Sequence, residues 1–243
     1  LNNRNARRKQ SGSLIYWFND FLQQAQEKNP NVKIRLLMHT EPKDPNGQDL
    51  NAISNELGIS ENVLLSTDKL EPGHLAMIYN AADVTINISD AEGFGLATFE
   101  SLACETPIIV TMTGGLQEQV TALKGVSWKK MVKRNNTKQG VTEYAHGIGI
   151  EPSSKAIIGS QEVPFIYEDR LSGSDVTEAL LTMYTYSREK RQELGKAGRQ
   201  HVLDNYNFET FAQKWKEVMT KIHEEHGSWE TRKNYNRWEL IAV

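Results

Sequence analysis

Residues 83–110 read DVTINISDAEGFGLATFESLACETPIIV, and this stretch decides the fold. Asp83–Ile88 is β-branched and apolar, so it reads as a buried strand. A loop then presents Glu92, and Gly93 and Gly95 let a ligand approach the backbone closely. Leu96–Ala103 is helical in pattern, and Pro107–Val110 is again a strand. The start of that helix offers free N–H groups and a positive dipole end, a natural seat for phosphate. Glu100 lies one to two turns into the same helix. One loop–helix unit thus supplies amides for a diphosphate and two carboxylates, Glu92 and Glu100, for hydroxyls.

Working outward, the alternation continues on both sides. Val32–His39 and Val63–Leu65 read as strands. Leu14–Lys28 is a helix stopped by Pro30, Asp49–Leu57 a short helix closed by Gly58, and Pro72–Ala82 a helix led by proline. Gly114-Gly115 opens a further helix carrying Glu118. Such alternation predicts an α/β, doubly wound parallel sheet of Rossmann-like type. Its ligand site would lie at the carboxyl ends of the strands, in the loops Asn3–Ser11, His39–Gly47, Ser66–Glu71, Ser89–Gly95 and Thr111–Gly115.

From Thr121 to about Val163 the alternation fails, and 121–164 is expected to be an insertion. Asp175–Tyr186, Arg188–Asn205 and Phe208–Glu225 follow as consecutive C-terminal helices. The expected organisation is one domain over 1–225 and a tail over 226–243. The chain starts at Leu1, and its first residues read like the end of a strand entering a basic loop, as in a piece of a longer protein.

The 243 residues carry 28 Lys+Arg against 31 Asp+Glu, a formal charge of −3, which argues against a dedicated nucleic-acid binder. No apolar run approaches the ~20 residues needed to cross a bilayer. A lone cysteine, Cys104, excludes an intrachain disulfide and fits a reducing compartment, so a cytoplasmic location is expected. Cys104 itself is expected to be a core residue.

Spacing alone does not single out the glutamates. The same interval separates Glu143 from Glu151, Glu209 from Glu217 and Glu217 from Glu225. What distinguishes Glu92 and Glu100 is the strand, the Gly-x-Gly loop and the helix start around them. His223 and His226 are i, i+3 with no third ligand in view, so a solvated helix end is preferred to a metal site. The basic run Lys129–Arg134 is read as a solvated face in preference to a peripheral membrane contact.

The stretch EGFGLATFESLACETPIIVT, followed by Gly114-Gly115-Leu116-Gln117-Glu118, resembles the C-terminal nucleotide-sugar-binding domain of retaining glycosyltransferases with the GT-B fold, the group 1 family. The run LGKAGRQHVLDNYNFETFAQKW resembles that family's closing helices. The resemblance implies that Glu92 lies by the transferred sugar and that Glu100 binds the ribose hydroxyls. Backbone amides around Gly93, Phe94, Gly95, Leu96 and Ala97 would meet sugar and phosphate. It also implies an Arg and, five residues on, a Lys on the donor diphosphate, matched here by Arg4 and Lys9. Asp68 and Leu70 fall where the family places its base-binding loop.

On this resemblance the chain is a hexosyltransferase half using a UDP- or GDP-sugar, with Arg4, Lys9 and Glu92 at the reacting bond and neither metal nor cofactor required. Its partners would be the nucleotide-sugar donor, a glycan, lipid or other acceptor, and a preceding N-terminal domain, to which nothing in 1–243 corresponds and on which the tail 226–243 would pack. The alternative is a non-catalytic nucleotide-sugar-binding or assembly module.

Overall fold

The computed structural model describes residues 1–121 and 140–233. The basic run 129–134 and the last part of the tail, 234–243, lie outside the described residues. Contacts divide the chain into two compact units, Leu1–Gln200 and His201–Val243. The division falls within a helix.

In the first unit, α1 (Ser11–Lys28) precedes β1 (Leu36–His39), α2 (Leu50–Glu56), β2 (Val63–Ser66), α3 (Pro72–Ala81) and β3 (Thr85–Asn87). Next come α4 (Leu96–Ala103), β4 (Ile108–Thr111), α5 (Leu116–Thr121), β5 (Gly140–Tyr144) and β6 (Gly147–Glu151). A hairpin of β7 (Ser154–Ile157) and β8 (Tyr167–Arg170) leads to α6 (Gly173–Thr185) and α7 (Arg188–Asn205). β1 and β2 run parallel, and so do β3, β4 and β6, with β5 as an antiparallel edge in the order β3-β4-β6-β5. The fold is the expected doubly wound α/β type, with the site loops at the carboxyl ends of its parallel strands.

Burial explains the pattern. Every residue of β4 and β6 is buried, as parallel strands covered on both faces require. Leu14, Ile15, Phe18 and Leu22 of α1 share one core with Met38, Ile86, Ile88, Ile109, Ile148 and Ile150, and with Val176, Ala179 and Met183 of α6. Strand β1 starts at Leu36 instead of Val32 because its neighbour is only four residues long, pairing Leu36 with Val63 and His39 with Ser66. The expected strand end at Leu1 is present: Asn2 bridges His39 in parallel, and Leu1 O accepts from His39 N at 2.9 Å.

Two expectations need correction. Residues 140–151, placed in an insertion from sequence, are strands of the central sheet. Their glycines disguised them: a Cβ at Gly147 would lie 1.9 Å from Ile108 O, and one at Gly149 would lie 2.5 Å from Met112 Sδ. Close packing therefore selects residues of poor strand propensity. Cys104 is not core; it is the half-buried C-cap of α4.

The second unit holds the end of α7 and α8 (Phe208–His226). Asn207 caps α8, its side chain accepting from Thr210 N at 2.8 Å. His223 and His226 lie in the helix's last turn. Phe208, Phe211, Trp215, Met219 and Ile222 repeat at helical spacing and are all exposed. Among the described residues, no helix is long and apolar enough to cross a membrane.

Candidate functional site

Helix α4 begins at Gly95, whose φ of +89° is open to glycine and strained for other residues. Space forbids a side chain as well, since a Cβ there would meet Leu116 Cδ2 at 2.5 Å. The first helical bond runs from Phe99 N to Gly95 O at 3.1 Å. The amides of Leu96, Ala97 and Thr98 precede it, so the helix itself offers them no carbonyl. They open at the carboxyl end of β3, where the sequence places a phosphate seat.

The Gly114-Gly115 turn lies directly on this loop. Gly114 has φ +47°, and a Cβ there would stand 1.7 Å from Glu92 O. Gly115 N donates to Glu92 O at 3.3 Å and to Gly93 O at 3.2 Å. Backbone contact is why 114 and 115 are glycine, whereas Gly95 is required by its positive φ and the Leu116 side chain, and a Cβ at Gly93 would meet nothing.

The basic limb meets the same loop. Lys9 ends a short 3-10 turn, Arg7–Lys9, and its buried side chain is ion-paired with Glu92 Oε2. Arg8 stands 3.6 Å from the same oxygen and donates to Ala91 O at 2.8 Å. Gln10 then adopts φ 57°, a conformation costing about 1–3 kcal/mol outside glycine. Its amide nitrogen donates to Asp90 Oδ2 at 2.7 Å, and its oxygen accepts from Ser13 Oγ at 2.6 Å.

The neighbouring cations also face carboxylates. Arg4 grips Asp44 at 2.7 and 3.2 Å. Arg7 grips Glu168 at 2.8 and 2.7 Å. Arg170 reaches Asp90 at 2.8 Å and Glu168 at 3.3 Å. The Arg7 fork holds the Glu168 carboxyl below its ordinary pKa, and Arg4 does the same for Asp44. Burial pushes the Asp90 carboxyl up. Lys9 and Glu92 are thus brought together directly, whereas Arg4 sits on a different carboxylate.

Glu100 is oriented by a buried tyrosine. Tyr79 donates its hydroxyl proton to Glu100 Oε2 at 2.8 Å and accepts from Asn2 Nδ2 at 2.7 Å. Burial raises the Tyr79 pKa, so it keeps that proton. Asp68 is exposed and Leu70 half-buried on the loop between β2 and α3, away from these hydrogen bonds. Among the described residues, no group of three His, Cys, Asp or Glu could hold a metal ion.

Asn2, Tyr79, Asp90, Gln119, Glu168 and Arg170 are the residues that sequence reasoning did not single out. Gln119 had a visible signal: it sits between Leu116 and Val120 on the buried face of α5. An amide on an apolar stripe has partners to find. Glu168 and Arg170 had none, because β8 lies far along the chain from Arg7 and Asp90.

A profile of the family described as glycosyl transferases group 1 matches residues 18–143. Among curated proteins, the D-inositol 3-phosphate glycosyltransferase of Segniliparus rotundus is 30% identical over 103 residues, covering 41% of this chain and 23% of that protein. The chain thus spans about a quarter of that relative's length. Among solved structures, Anabaena Alr3699/HepE in complex with UDP and glucose superposes with TM-score 0.59 at 13% identity, over 90% of this chain and 47% of that one. The C-terminal domain of a glycosyl transferase group 1 family protein (LpcC) from Francisella tularensis gives TM-score 0.54 at 16% identity, over 86% of this chain and 84% of that one. These likenesses identify the fold as the C-terminal half of a GT-B glycosyltransferase. With more than half of its residues matched by the family profile, the chain belongs to the glycosyl transferases group 1 family.

Proposed function

We propose that this chain is the donor-binding half of a retaining hexosyltransferase that uses a nucleoside-diphosphate sugar. The observation that carries the reading is Lys9 paired with Glu92 beside the glycine-capped start of α4. A diphosphate arriving there would meet helix amides on one side and the lysine ammonium on the other. Lys9 would pass from Glu92 to the phosphate, and Arg4 would leave Asp44 to join it. Glu92, released, would take hydroxyls of the sugar. Glu100, held by Tyr79, would take the ribose hydroxyls.

In the transfer itself, the bond from the anomeric carbon to the phosphate oxygen breaks while an acceptor oxygen bonds that carbon from the same face. The acceptor's proton leaves on the departing diphosphate oxygen. Charge grows on the diphosphate as the bond breaks, so preorganised cations and amides lower the barrier there. The Anabaena protein bound to UDP and glucose shares the fold and supports a nucleotide-sugar donor for this one.

Titration calorimetry with UDP and GDP tests the binding half of the proposal, and one of the two should bind. Failure of both would overturn it. A transfer assay with the full-length protein and UDP- or GDP-hexoses tests the rest. Binding without transfer would favour a binding module instead.

A further inference from the structure

Helix α5 carries a fully buried amide that faces the donor loop. Gln119 Nε2 donates to Phe94 O at 2.7 Å and to Gly95 O at 3.2 Å. Its Oε1 accepts from Thr98 Oγ1 at 2.6 Å. The Gln119 backbone is tied down in turn, since its carbonyl accepts from His146 Nδ1 at 2.6 Å. A carbonyl only accepts, so Nδ1 carries the proton. Burial lowers the His146 pKa and keeps the ring neutral. Both side chains are almost wholly shielded from solvent.

The peptide bond makes this arrangement matter for the site. In a trans peptide, the C=O of one residue and the N–H of the next point in opposite directions. Among the described residues no peptide bond is cis. Drawing the Phe94 carbonyl inward to Gln119 therefore turns the Gly95 N–H outward. Fixing the Gly95 carbonyl does the same for the Leu96 N–H. Alanine or valine at 119 would remove a buried donor from each carbonyl. Gly95 O keeps Phe99 N at 3.1 Å and Thr98 Oγ1 at 2.9 Å, so the Phe94–Gly95 peptide is the one set free to turn.

We propose that Gln119 is a positioning residue for donor binding: through the Phe94 carbonyl it aims the Gly95 amide, at the cap of α4, at the diphosphate. This rests on the donor-site reading above and adds a residue to it. The signature is a loss of nucleoside-diphosphate affinity beyond what equal destabilisation causes.

The test uses the full chain and titration calorimetry with UDP and GDP, well below each variant's melting temperature. Gln119→Met keeps the volume and removes both donors. Val120→Ala, on the same buried helix, supplies a destabilised control whose side chain makes no hydrogen bond. The methionine variant should weaken binding by about tenfold. The alanine variant should stay within about twofold of wild type. Methionine binding as well as wild type, or alanine losing as much as methionine, would overturn the assignment. Should Gln119→Met not fold, Gln119→Leu also removes both donors and carries the same expectation. If wild type itself binds neither nucleotide, the donor-site reading falls first and Gln119 with it.

Discussion

The two limbs of the candidate site are built on opposite principles. The glycine limb, Glu92–Gly95 with Gly114-Gly115, is fixed from within by backbone contact and by the buried Gln119 amide. The cationic limb, Arg4–Lys9, is held by side-chain ion pairs with Asp44, Glu168 and Glu92. Backbone packed on backbone has one arrangement. Ion pairs with an exposed cation, as in Arg4–Asp44 and Arg7–Glu168, exchange partners at little cost, and the shielded Lys9–Glu92 pair exchanges only for another anion. One limb therefore offers a ready-made cradle, and the other a set of charges that a diphosphate must win from carboxylates.

The comparison is most easily broken at Gly114. Gly114→Ala puts a methyl group 1.7 Å from Glu92 O at φ +47°, so the two turns must part. We expect about 3 kcal/mol of lost stability and no measurable UDP or GDP binding, read by thermal melting and calorimetry. Retained binding would show that the cradle is not rigid.

Lys9→Met should weaken nucleoside-diphosphate binding by about 100-fold, because it removes a cation from a shielded site and leaves Glu92 facing the phosphate. Arg4→Ala should cost about tenfold, and that loss should shrink as salt is raised, since the Arg4 side chain is 64% exposed. Its melting temperature should barely move. A large fall on Arg4→Ala would mean that the Asp44 pair is structural, and the contrast between limbs would fail.

Arg7→Ala tests the pair that anchors the cationic limb to β8. Glu168 is buried while Arg7 is half-exposed, so after allowing for solvent screening we expect about 1 kcal/mol. The pH dependence follows from the depressed Glu168 pKa. The stabilisation is present above the unfolded carboxylate value near 4.5 and is lost as pH falls through the folded value. Arg7→Ala should flatten the acid limb of a melting-temperature profile. The smallest effect concerns His146, whose folded pKa lies below 6.5. The unfolded chain then binds more protons as pH falls below about 6.5, so stability declines there. Replacing His146 with Asn should remove that slope.

Much of the first unit was legible because it rests on local rules. Pro72 at the start of α3, Gly95 before α4 and the apolar runs of β3 and β4 announce themselves. Strand β6 did not, because GIGIE owes its place to close approach of Ile108 and Met112 and not to strand propensity. In the site, Lys9 and Glu92 were named from sequence and do meet. The Asp90–Arg170 and Arg7–Glu168 pairs were not, since they join residues far apart in the chain whose types suit a solvated surface equally well. Gln119 was readable only as an oddity; its meaning came from the carbonyls in front of it.

The most direct test is a crystal structure of the protein with UDP or GDP bound. The diphosphate should lie within about 3 Å of the Leu96 and Ala97 amides, with Lys9 Nζ moved from Glu92 onto a phosphate oxygen and Arg4 turned away from Asp44. A nucleotide seated elsewhere, with Lys9 still on Glu92 and the start of α4 empty, would contradict it.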